Sequence, residues 1–163
     1  VLTNPDKSWN WCLLSQNPSI TFDAVFTYPN LPWNWEYLSL NPNITIDIVL
    51  TRPNLWDWYN LSKNPGIKFE SVLAHPGLPW NWRGVSRNPN VTSDIVIANF
   101  ILPWDWHALS EHPNITFDII TANPNLPWSW HTMVDNPNIT FDIILAHSDK
   151  SWGWYDLSQK GTV

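Results

Sequence analysis

Apolar positions along the chain recur in two alternating blocks. One holds a tryptophan pair followed by a leucine; the other is a short run rich in Ile, Val and Phe, and an Asn-Pro step separates them. The second block is typified by Ile115 to Asn123. As a strand it offers alternation of Ile115, Phe117 and Ile119. As a helix it offers Thr116 as N-cap and Asp118 in the first turn, where a carboxylate meets the positive end of the dipole. Ile115 then staples against Ile120 across the cap. The same cap and acid recur as Thr21/Asp23, Thr45/Asp47, Thr92/Asp94 and Thr140/Asp142, with Lys68/Glu70 as a weaker copy. An alanine near the end and a following proline suit a short helix that stops there. The pattern predicts a helix.

The first block, typified by Asn30 to Leu40, begins with a capping-type residue in most copies: Asp6, Asn30, Asn54, Asn125 and Asp149, with Gly77 tolerable. Pro32 falls in the first turn, where its missing N–H costs nothing. Trp35, Leu38 and Ser39 then share one face, and Trp33 and Tyr37 the opposite one. Pro42 forces Asn41 out of helical geometry and ends the segment. Each unit is thus expected to be a pair of helices of about two turns each.

The blocks repeat along the whole chain. Seven W-x-W pairs occur: Trp9/Trp11, Trp33/Trp35, Trp56/Trp58, Trp80/Trp82, Trp104/Trp106, Trp128/Trp130 and Trp152/Trp154. They are spaced by 24 residues, except for one interval of 23 where a residue is missing before Trp56. Every proline falls in register: in an Asn-Pro or His-Pro step, ahead of the pair, or against it. Helices this short are marginal alone, but stacked copies bury their apolar faces against neighbours. The expectation is an all-α fold, an α-solenoid with one short helix pair per ~24-residue repeat, forming a single array over residues 1–163. Val1 to Pro5 align with Val25 to Pro29, so the chain is expected to open inside a second helix. Lys160-Gly161 stand where Asn-Pro would be, so the last unit is expected to stop after its first helix. All fourteen tryptophans are expected to form the repeat core.

The phrase P-W-D-W or P-W-N-W, followed by L-S-x-N-P-N-I-T and then an acid with I-I or I-V, resembles the tryptophan-rich repeats of about 24 residues in proteins of mimivirus-like giant DNA viruses of amoebae. The resemblance covers essentially the whole chain. It implies a viral repeat protein and brings no catalytic or binding residue with it. Phe100 in place of the pre-tryptophan proline, Val134 in place of the repeating serine, and the short third unit depart from the pattern.

Composition adds mainly exclusions. The chain has 163 residues with 15 Pro and 14 Trp, 44% hydrophobic and 13% charged. It contains no apolar run long enough to cross a membrane. The net charge is −6, but six of the fourteen acids are the recurring first-turn ones, and the eight that remain equal the eight Lys and Arg. Those basic residues form no stripe, which argues against a nucleic-acid partner. Five glycines include no phosphate-cradling loop, and the single Cys12 excludes an internal disulfide or a cysteine metal cage.

A residue present in nearly every unit is most simply there to build the unit. This removes the serines (Ser15, Ser39, Ser62, Ser86, Ser110, Ser158) as nucleophiles; they bond a backbone carbonyl or end the helix. It also removes the recurring acids as catalytic groups. Asn43, Asn90, Asn114 and Asn138 head N-x-T sequons and Asn60 heads N-L-S. The N-x-T sequons are a by-product of turn Asn and cap Thr, and they favour an intracellular or virion setting over a secreted one. His107 and His131 share one column and His75 and His147 another, about 9–10 Å apart if set by helix packing, too far for shared zinc ligation. No metal, cofactor or catalytic residue is expected. Positions that vary between units are the candidates for recognition. The residue after the second Trp reads Cys12, Glu36, Tyr59, Arg83, His107, His131, Tyr155, of which the last six form the candidate variable binding face. The next column reads Leu13, Tyr37, Asn60, Gly84, Ala108, Thr132, Asp156. The sequence points to a non-enzymatic scaffold binding a protein partner. Its alternatives are a virion or filament protein joined end to end, and a carbohydrate-binding array of exposed tryptophans.

Overall fold

The computed structural model describes residues 7–159. The sequence features at Val1 to Pro5, at Asp6 and at Lys160-Gly161 lie outside them. Thirteen short α-helices and no strand occur among the described residues. First helices, each starting on the second tryptophan of a pair, are α1 Trp11–Gln16, α3 Trp35–Leu38, α5 Trp58–Ser62, α7 Trp82–Val85, α9 Trp106–Ser110, α11 Trp130–Met133 and α13 Trp154–Gln159. Second helices are α2 Phe22–Thr27, α4 Ile46–Thr51, α6 Phe69–Ala74, α8 Ser93–Ala98, α10 Phe117–Ala122 and α12 Phe141–Ala146. The fold is an all-α helical repeat, one short helix pair per period. It forms two compact units, Val1–Gly84 and Val85–Val163, described here each by itself.

Second helices begin as their sequence predicts. The hydroxyls of Thr21, Thr45, Thr92 and Thr140 accept from the N–H three residues on. Asp23, Asp47, Asp94, Asp118 and Asp142 occupy first turns, with Glu70 in α6. Thr116 and Lys68 occupy the cap position without a side-chain bond.

First helices begin later than expected. The cap is the residue between the two tryptophans, not Asn30 or its equivalents. Asn10, Asn34, Asp57, Asp105 and Ser129 accept from the N–H three residues on, and Asn81 does so from Gly84. Pro32 and Trp33 therefore precede the helix, and the proposed face shared by Trp33 and Tyr37 does not exist. The extended backbone at Asn34, φ −94° and ψ 108°, sets the boundary. First helices are accordingly four to six residues long rather than two full turns.

Three apolar columns fill each unit's interior. Unit 1 buries Leu38 and Leu61, Ile44 and Ile67, and Val25, Val49 and Val72. Unit 2 buries the equivalent Leu109 and Met133, Val91 and Ile115, and Val96, Ile120 and Ile144. Successive first helices pack directly, α1 on α3 in unit 1 and α9 on α11 in unit 2.

Candidate functional site

The two tryptophans of a pair have different work. The first, in the turn before a first helix, donates its indole N–H to the end of the preceding second helix. Trp33 Nε1 bonds Tyr28 O at 3.0 Å, Trp80 bonds His75 O at 2.9 Å, and Trp104, Trp128 and Trp152 bond Asn99 O, Asn123 O and His147 O at 2.9, 3.0 and 2.7 Å. Each acceptor is the C-cap residue, whose carbonyl also accepts the turn N–H three residues on, so the indole fills its second lone pair. Where the third period is one residue short, Trp56 reaches Val49 O instead, at 3.2 Å. The second tryptophan meets the next unit's first one edge to face. The pairs Trp11/Trp33, Trp35/Trp56 and Trp58/Trp80 in unit 1, and Trp106/Trp128 and Trp130/Trp152 in unit 2, have centroids 5.0–5.2 Å apart and planes 80–88° apart. Burial follows this division. Trp33, Trp56, Trp104, Trp128 and Trp152 are buried, Trp80 is half-buried and Trp9 exposed. Trp11, Trp35, Trp58, Trp82, Trp106 and Trp130 are half-buried, and Trp154 is exposed. First-position rings are thus mostly buried, while each second ring keeps one side open.

Two polar ladders join neighbouring repeats. Ser39 Oγ donates to Trp35 O at 2.7 Å and accepts from Asp57 N at 3.0 Å; Ser110 Oγ does the same between Trp106 O and Ser129 N. Ser15, Ser62 and Ser86 accept from Asn34, Asn81 and Asp105. The bond to its own helix follows from the sequence, whereas the bond to the next cap does not. The Asn of Asn-Pro forms the second ladder. Asn41 Nδ2 donates to Ser15 O and Asn17 O, both at 3.0 Å, while its Oδ1 accepts from Asn43 N. Asn64 and Asn136 repeat this on Ser39 O and Asn41 O, and on Ser110 O, His112 O and Ile115 O. All three are buried, and buried amides without such partners are costly. The sequon residues Asn43, Asn114 and Asn138 spend Nδ2, the atom a glycan would occupy, on carbonyls of the preceding repeat.

The candidate variable face sits at the second position of the first helices. Unit 1 carries Glu36 and Arg83 exposed, and Tyr59 half-buried with Lys63 Nζ 4.6 Å above its ring. Unit 2 carries His107, His131 and Tyr155, all exposed. His131 Nε2 lies 3.3 Å from Asp156 Oδ2. These residues form a row along each unit, with no cluster of three or more metal-ligating side chains among the described residues. The second variable column turns out to be packing. Asn60, Gly84 and Ala108 are buried, and Thr132 Oγ1 donates to His107 O at 3.2 Å. At Gly84 a Cβ would stand 2.6 Å from Tyr59 O, so side-chain size here is set by the neighbouring repeat. Variation between repeats reflects local fit in this column.

A further feature lay outside the sequence reading. In unit 2 a groove of about 580 Å³ opens beside Trp106, walled by Ile97, Phe100, Asn123, Pro124 and Leu126. A second, of about 370 Å³, opens beside Trp130, walled by Thr121, Pro124, His147 and Lys150. Besides the indole, four wall positions recur one repeat apart, Ile97/Thr121, Phe100/Pro124, Asn123/His147 and Leu126/Lys150, while the rest of the two linings differs. One groove is wholly uncharged, and the other carries a cation whose Nζ lies 5.6 Å from the Trp130 ring centroid. Phe100 and Ile101 beside the first are 55% and 83% exposed. The signal was in the sequence, since F-I-L replaces P-N-L there, but it reads as a lost proline until the neighbouring indole is seen.

No family model, no curated protein and no solved structure matches the chain.

Proposed function

We propose that the chain is a non-enzymatic repeat scaffold that binds a protein partner, reading it with one groove and one variable side chain per repeat. The observation that carries this is the recurrence of the same indole-floored groove at Trp106 and Trp130 with differently composed walls. A rigid repeated frame with changeable walls suits recognition of an extended segment, in the way solenoids present columns along one surface. The exposed His107 and His131 supply polar contacts on the same two helices. The resemblance to repeats of giant-virus proteins makes a viral setting part of the proposal. Panning a random peptide library on the intact protein tests it. Enriched peptides should lose binding on Phe100→Asp and Leu126→Asp while the fold is kept. Failure to enrich any peptide, or enrichment indifferent to both substitutions, would refute it.

A further inference from the structure

His112 stands in the Asn-Pro ladder where the other repeats place asparagine. It is buried and reproduces both asparagine contacts with ring nitrogens. Nδ1 accepts the backbone N–H of Asn114 at 3.1 Å, as Asn136 Oδ1 accepts from Asn138 at 2.9 Å. Nε2 donates to Asn88 O at 3.2 Å, reaching the preceding repeat as the Asn136 amide reaches Ser110 and His112. The partners fix the tautomer. A backbone N–H can only donate and a carbonyl can only accept, so the ring is neutral with its proton on Nε2.

An amide keeps one acceptor and one donor group at every ordinary pH. An imidazole does not, because protonation turns its acceptor into a second donor. A proton arriving on Nδ1 faces the Asn114 N–H, donor against donor, inside the joint. The charged groups on the surrounding elements offer no relief. Arg87, before Asn88, holds Glu111 of the His112 turn at 2.7 Å, and Asp135 precedes Asn136 on the following repeat. Both ring nitrogens are taken by backbone groups, so no carboxylate hydrogen-bonds the ring.

We propose that His112 makes one rung of unit 2 acid-releasable, a pH-sensitive joint between the turn at Asn88 and the turn at Asn114 in a ladder whose asparagine rungs do not respond to acid. Burial holds the imidazole below its ordinary value of 6.5, and the bond to Asn88 opposes this more weakly. The sign follows. The folded ring stays neutral while an opened chain takes up a proton, so the joint is at full strength above 6.5 and weakens as pH falls below it.

Urea unfolding of the wild type and of His112→Asn, from about pH 8 to about pH 5, tests the joint. The substitution restores the residue that other repeats carry, so the variant is expected to fold. Below the ordinary histidine value, the wild-type folding constant should fall by up to about tenfold per pH unit relative to the variant. Protection of the Asn114 amide from exchange should fall with it in the wild type only. His131→Asn, which alters an exposed histidine near Asp156, should leave the difference unchanged. Equal pH slopes in wild type and His112→Asn, a slope that moves with His131 instead, or a native His112 ring titrating at or above 6.5 by nuclear magnetic resonance would each overturn the proposal.

Discussion

Ser110 holds two repeats together with one oxygen. Its hydroxyl donates to Trp106 O within its own helix and accepts from Ser129 N at the next helix start, at 2.7 and 2.8 Å. Replacing it by alanine strands a buried donor, and a strand of that sort costs about 1–3 kcal/mol. Ser110→Ala should therefore lower the unfolding free energy by that amount, seen as a lower urea midpoint with an unchanged slope; an effect below about half a kilocalorie per mole would deny the joint its weight. The joint between Val134 and Gly153 shows what happens when the serine is absent. There the residue between the tryptophans has also lost its capping side chain, and a Cβ on Gly153 would lie 2.6 Å from His131 O. The two departures from the repeat belong to one altered contact. At this scale the sequence showed that the serine column builds the repeat, but its second bond spans 19 residues and only the packed neighbour makes it visible.

Among elements, second helices were legible and first helices only partly so. Thr140 caps α12 through its hydroxyl, whereas Thr116 stands at the same place before α10 without that bond. Thr140→Ala should cost about 1 kcal/mol and Thr116→Ala only a few tenths; equal losses in thermal unfolding would contradict the difference. The first helix misled because Pro32 looks like a helix-opening residue and Asn30 like its cap. The competing cap at Asn34 is equally plain in the sequence; its side chain takes the Tyr37 N–H while its own backbone N–H is held by Ser15 Oγ of the preceding repeat. Proline is not required for a second helix to stop. The helix α8 ends at Ala98 with Phe100 in place of proline, because Asn99 Nδ2 bonds Ile95 O and Trp104 bonds Asn99 O. The grooves beside Trp106 and Trp130 were hidden for a related reason. A pair read as two equivalent core residues conceals that the second ring is only half covered.

For the molecule as a whole, stability should behave as a sum of repeats and the joints between them. Excising 107–130 joins Trp106 to His131 and keeps the 24-residue beat. The shortened chain should still fold cooperatively, at lower stability, and should lose the acid response that His112 introduces. Collapse to an unfolded chain would show that the repeats are not interchangeable. The edge-to-face pairs reach beyond stability. Indoles held 5.0–5.2 Å apart at nearly the same angle, five times over, are close enough for their electronic transitions to couple. Such coupling produces paired circular-dichroism bands of opposite sign in the region where helix content is normally read. The protein's far-ultraviolet spectrum will therefore misreport its helicity. It will also carry an intrinsic optical gauge of the joints, one that fades as neighbouring repeats part even while each short helix survives.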